Sequence, residues 1–236
     1  MTGQVGLFIL ENAFILVYVL VLALSLIKYK YYYDTKLKAL PILLAYILLT
    51  EIFGGLIRNI DEIQLIFEED YQNYNHLIFN ILDIVFFLYF FRIYSVSTTN
   101  LELKKYVKWG AVLFCLASAV NPFLNSFMLK PQLLAILIGS IAMITFSYMY
   151  LKETKKMRVT FSNYHKLLQS ISKGLLIFYP FYPVILGIGQ TNEALYYKFY
   201  LRELLFLLII ILYGYFIIGF VRLGNMKSNT ETKKAF

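Results

Sequence analysis

Long apolar runs separated by short polar stretches set the pattern of this chain. They cover about 5–27, 39–59, 76–95, 107–123, 131–151, 167–188 and 199–221. A helix needs about 20 mostly apolar residues to cross roughly 30 Å of hydrocarbon, and each run is close to that length. A transmembrane β-barrel would instead show alternating segments of about ten residues. The pattern therefore predicts an all-α polytopic membrane protein, a bundle of seven transmembrane helices. Residues 1–224 form its single domain and 225–236 a short tail. The first run is expected to stay in place rather than be cleaved. No positive segment precedes it, its apolar core is too long for a signal peptide, and no small-x-small site follows.

Composition agrees and narrows the class. Of 236 residues, 60% are hydrophobic and 15% charged, where soluble domains carry about a quarter charged. That excludes a cytosolic globular enzyme, a disordered chain and a secreted disulfide scaffold. Cys115 is the sole cysteine, so no internal disulfide forms, and no Cys/His cluster calls for a metal. No cofactor is expected.

Lysine and arginine set the orientation. Lys28, Lys30, Lys36 and Lys38 follow span 1, and Arg92, Lys104, Lys105 and Lys108 surround the 3–4 connection. Lys152, Lys155, Lys156, Arg158 and Lys166 lie between spans 5 and 6, and Arg222, Lys227, Lys233 and Lys234 in the tail. The opposite side has only Arg58, Lys130, Lys198 and Arg202, with Lys173 inside span 6, out of 22 basic residues. By the positive-inside rule the N-terminus is outside and the C-terminus cytoplasmic. An even number of spans would break this alternation. The net charge of +8 then reflects topology and attraction to anionic lipid, and no nucleic-acid partner is expected. The connection 60–75 carries Asp61, Glu62, Glu68, Glu69 and Asp70 and reads as the acidic outer face.

Ionisable groups at membrane depth are costly and usually face the bundle interior. His76, Asn80 and Asp83 fall on one face of span 3 by helical spacing. Asp83 lies roughly 10 Å below His76 at 1.5 Å per residue. Glu51 and Arg58 share a face of span 2, while Glu11 lies in span 1 and Arg202 and Glu203 in span 7. All of them map to the outer half, so a polar, outward-open pocket is expected among spans 1, 2, 3 and 7. A second reading stays open: these groups form structural ion pairs, such as Glu51 with Arg202 and Asp83 with Arg58.

Span 6 contains Tyr179-Pro180-Phe181-Tyr182-Pro183. Each proline removes a backbone donor and clashes with the preceding turn, which predicts a kink and makes Pro180 and Pro183 candidate hinge residues. The tyrosines near the span ends, among them Tyr29, Tyr31, Tyr32, Tyr33, Tyr196 and Tyr197, read as belts at the headgroup boundary. His165 reads as solvated in a basic loop. Span 7 has no lysine for a retinal Schiff base, and Ser140 and Ser147 sit in apolar runs without an obvious base. Catalytic motifs are absent.

Certain stretches carry a resemblance. Leu49-Thr50-Glu51, the run Phe79-Asn80-Ile81-Leu82-Asp83, the following Phe90-Phe91-Arg92-Ile93-Tyr94 and the closing span resemble a group of seven-helix integral membrane proteins widespread in Bacteroidota. The chain departs from that group at Asp83, where glutamate is usual, and in having the Pro180/Pro183 pair. The resemblance implies the topology and a bacterial inner membrane, and no particular activity.

The function expected is that of a membrane sensor or receptor-like component. It would bind a small polar ligand from the outer side and signal through a cytoplasmic or membrane partner. Alternatives are a transporter or channel for ions or small solutes, a membrane-perturbing effector, and, less favoured, a lipid-modifying enzyme. The lipid bilayer is the one obligatory partner, and the sequence does not set an oligomeric state.

Overall fold

The computed structural model describes residues 2–60, 63, 65, 75–156 and 163–223, with side chains other than those of 2–13, 58, 59 and 156. The acidic residues of the 60–75 connection, Arg158 and the tail 225–236 lie outside the described residues.

Every regular element among the described residues is helical. They are α1 (Thr2–Ile27), a 3₁₀ turn (Tyr29–Tyr31), α2 (Leu40–Asn59), α3 (His76–Ser97), α4 (Leu101–Leu124) and α5 (Leu133–Lys156). There follow α6 (Asn163–Phe178), α7 (Tyr182–Thr191), α8 (Glu193–Lys198) and α9 (Leu201–Val221). Six stretches are long and apolar enough to cross a membrane: Leu40–Ile57, His76–Ser97, Leu101–Leu124, Leu133–Lys155, Asn163–Thr191 and Leu201–Val221. The described part of α1 adds a shorter apolar helix, Phe14–Ile27. Large apolar side chains such as Leu16, Ile42, Leu49, Leu116 and Phe123 face outward, which suits a lipid surround.

Local chemistry explains the ends. The Asn100 side chain accepts from the backbone N–H groups of Glu102 and Leu103, satisfying orphan donors at the start of α4. That cap extends α4 six residues ahead of the apolar run that marks span 4, through the polar turns up to Lys108. The Asn121 carbonyl oxygen accepts from Leu134 N at 2.8 Å and Ala135 N at 3.2 Å, so α4 caps its neighbour α5.

The predicted kink in span 6 is a complete break. α6 stops at Phe178, residues 179–181 form a turn, and Pro183 sits in the first turn of α7. Pro180 N and Pro183 N cannot donate to the carbonyls of Leu176 and Tyr179, so the helical ladder is interrupted twice. The short α8, capped by Asn192 accepting from Leu195 N at 3.0 Å, was not evident in the apolar pattern.

Packing follows a closed circuit. α1 packs on α2, α2 on α3, α3 on α5, α5 on α6 and α7, both of these on α9, and α9 back on α1. α4 stands outside the circuit against α3 and α5, with 22% of its span buried against 50% for α5. Glycines permit the closest approaches. A Cβ at Gly139 would lie 2.9 Å from the Phe87 ring and 3.0 Å from Phe114, and one at Gly219 would lie 2.7 Å from Leu167 Cδ1.

In the half of the bundle away from α8, the interior is filled by rings. Phe87, Phe90, Phe91, Phe114, Phe146, Phe216 and Phe220 are buried there. Phe87 and Phe114 have centroids 5.0 Å apart, and Phe91 and Phe146 5.1 Å. This core is not purely apolar. The Tyr94 hydroxyl shares hydrogen bonds of 2.8 Å with both Ser147 and Ser172, joining α3, α5 and α6. Tyr150 and His165 Nδ1 share one of 2.7 Å, so His165 is not simply solvated. Tyr32 belongs to no belt: it is buried and donates to the Ser25 carbonyl at 2.7 Å. Burial pushes its phenol up, which keeps the donor protonated.

Candidate functional site

The half of the bundle toward α8 is hollow. A cavity of about 660 Å³ is lined by residues of α1, α2, α3, α7, α8 and α9 together with Asn75 and Pro131. Glu51, His76, Asn80, Asp83 and Arg202 all contribute to its wall. A deeper annex of about 90 Å³ shares Glu51, Phe79, Asp83, Tyr182 and Ile209 with it and ends on Phe178, Leu212 and Tyr213. Beyond that floor lie the packed rings.

Most of the predicted residues have a definite place. His76 opens α3, and Asn80 and Asp83 follow on the face that helical spacing assigns to them. Glu51 and Gly55, one turn apart on α2, face them across the cavity. Arg202 enters from the first turn of α9 with its guanidinium over the Phe206 ring, 5.7 Å from the centroid. Glu203, its neighbour, does not belong to the wall. The side chains of Glu11 and Arg58 lie outside the described residues.

Asn80 is engaged structurally although it borders the cavity. Its amide donates to the carbonyls of Phe127 at 2.7 Å and Lys130 at 2.9 Å, and its carbonyl oxygen accepts from Gln132 N at 3.2 Å. With 3% of its surface exposed, it ties the α4–α5 connection to α3 and offers little to a ligand.

The carboxylates have phenol partners that sequence spacing did not suggest. Tyr182 donates to Asp83 at 3.0 and 3.2 Å, and Tyr18 donates to Glu51 at 3.2 Å. Each phenol satisfies lone pairs of its acid and fixes the side chain in place. Tyr18 packs edge-on against Tyr213 at 4.5 Å, and Phe178 stacks on Tyr182 at 4.9 Å. Aromatic rings thus form most of the wall behind the two acids. Phe14, Phe79, Phe206, Tyr182 and Tyr196 complete a lining that hydropathy alone assigns to core or belt.

The α2–α3 seam beside the cavity is held by one polar clasp. The Asn75 amide donates to the Gly54 carbonyl at 3.0 Å, and a Cβ at Gly54 would meet the Phe79 ring at 3.0 Å. Among the described residues no group of three or more His, Cys, Asp or Glu could hold a metal ion.

No protein-family model, no curated protein and no solved structure matches this chain.

Proposed function

We propose that the chain is a receptor-like sensor of a bacterial inner membrane. It has seven spans, an outer N-terminus and a cytoplasmic C-terminus, and it is of the Bacteroidota kind it resembles. Its cavity takes up a small polar ligand from the outer side. The observation that carries this reading is the lining of the cavity, where Glu51, His76, Asp83 and Arg202 share the wall with aromatic rings. Charged and aromatic side chains line it down to Tyr213 and Phe178, and a ring-filled core lies below. A cavity walled mainly by apolar and aromatic groups with a few convergent polar side chains is the usual form of a small-ligand site. Pro180 and Pro183 border the break beneath it, and Tyr182 and Tyr179, on either side of Phe181, face the cavity and its annex. Ligand occupancy would bias the α6–α7 junction, and α6 begins within the basic 152–166 segment, where, or at the tail, a signalling partner would dock.

The interruption of span 6 favours a second reading, transport. Discontinuous helices at membrane depth recur at the binding sites of secondary transporters. Reconstitution in liposomes separates the two. The sensor reading expects ligand-dependent thermal stabilisation without solute flux, and saturable flux overturns it. Orientation is tested on a Cys115→Ser background with single cysteines placed at Thr35 and Thr191. Thr191 accessible from outside and Thr35 from inside is expected, and the reverse overturns the topology.

A further inference from the structure

We propose that one ordered water molecule is built into the seam between α3, α4 and α5, held by the Ser118 hydroxyl and the Gln132 side-chain oxygen and bordering Asp83. This site is distinct from the ligand cavity, and the inference does not rest on the receptor reading. A separate small cavity of about 10 Å³ lies in the seam. Asn80, Asp83, Ser118 and Gln132 line it, with apolar groups such as Phe114 and Ile136 around them. That volume is about what a single water requires, and it leaves no room for a second.

The polar atoms decide between a wet site and a dry one. Ser118 Oγ and Gln132 Oε1 are both buried and have no hydrogen-bond partner among the described residues. Gln132 as a whole is 4% exposed. Its amide is held in one orientation, because Nε2 donates to the Ser126 carbonyl at 3.4 Å and to the Lys130 carbonyl at 3.2 Å. Turning it over would set its oxygen against both carbonyls. Asn80 brings no spare donor, since its amide already serves two carbonyls. Empty cavities are apolar, whereas buried water settles where otherwise unsatisfied polar groups converge. A water here accepts from the Ser118 hydroxyl and donates to Gln132 Oε1, and Asp83 is the third polar side chain on the same wall. Asp83 also lines the main cavity and the annex. The water therefore carries the polar wall of the hollow on into the α4–α5 pair, and it ties α4, which stands outside the circuit of helices, to α3.

The test is a structure of the full chain in lipid nanodiscs at a resolution that shows ordered water. A density peak within hydrogen-bonding distance of both Ser118 Oγ and Gln132 Oε1 is the expected result. No peak there, with either side chain turned to a protein partner instead, overturns the inference. Thermal unfolding of Ser118→Ala supplies a second measurement. Alanine is the better helix former, and in a dry site the change would only delete a hydroxyl that pairs with nothing. A dry site therefore gives an equal or higher melting temperature. A water deprived of one of its holders gives a lower one, and that fall is expected. A melting temperature equal to or above that of the unaltered protein overturns the inference. Both measurements are made without ligand, so neither outcome alters the receptor reading.

Discussion

The Tyr182 hydroxyl donates to both carboxylate oxygens of Asp83, at 3.2 Å to Oδ1 and 3.0 Å to Oδ2, across 99 positions of sequence. The contact joins the first residue of α7, just past the break, to the middle of α3. Leaving a buried hydrogen-bonding group without its partner costs about 1–3 kcal/mol. Tyr182→Phe is therefore expected to lower stability by about that amount while sparing the ring stack on Phe178. Thermal unfolding in nanodiscs measures it; an unchanged melting temperature would mean the contact contributes nothing. Asp83→Asn should cost less, since an amide oxygen still accepts from the phenol.

Asn80 is expected to behave as a structural residue. Asn80→Ala removes the partners of the Phe127 carbonyl and the Gln132 N–H, while the Lys130 carbonyl keeps Gln132 Nε2 at 3.2 Å, and each buried group left unmade costs about 1–3 kcal/mol. A loss of at least about 2 kcal/mol follows, together with faster proteolysis between Phe127 and Gln132. Ligand affinity in the surviving folded fraction should hold. A fall in affinity with intact stability would return Asn80 to the ligand.

Glycine substitutions provide an internal control on the packing. Gly139→Ala drives a methyl into the Phe87 and Phe114 rings and should cost about 1–3 kcal/mol by overpacking. Gly214→Ala meets nothing within 4 Å and removes helix-interior glycine, a gain of roughly 0.5–1 kcal/mol. Opposite shifts in melting temperature are the expected result, and shifts of equal sign would contradict the α3–α4–α5 contact.

Tyr94→Phe should cost about 1–3 kcal/mol, because it strands the buried hydroxyl of Ser147. Ser172 is buffered, since its hydroxyl also donates to the Leu168 carbonyl at 2.7 Å. Combining Tyr94→Phe with Ser147→Ala should recover part of the loss, and simple additivity of the two would argue that they are not coupled.

Much of this arrangement is legible in the chain itself, and the reason is geometric. Continuous apolar runs leave helices as the only backbone solution in lipid, and a 3.6-residue period carries His76, Asn80 and Asp83 to one wall. The proline pair likewise announces an interruption wherever it occurs. What spacing along one helix cannot show is which residues meet across helices. Tyrosine reads as an interface anchor, so the phenols of Tyr18 and Tyr182 carried no signal until α1 met α2 and α7 met α3. Ser147 looked isolated because its partner, Tyr94, lies 53 positions away. For the same reason Asn80 seemed a ligand group, while its actual partners sit in a connection whose path hydropathy leaves open.

The interruption between α6 and α7 divides one span into unequal arms. The longer arm is bolted down: a Cβ at Gly174 would meet the Leu212 carbonyl at 3.0 Å, and Ser170 donates to the Tyr215 carbonyl at 2.7 Å. The shorter arm is a lever of ten residues, about 15 Å long at 1.5 Å per residue, whose pivot coincides with the floor of the hollow. Displacement within this span is thereby channelled into α7, and backbone amides from Val184 to Thr191 should exchange with deuterium before those of α6 do.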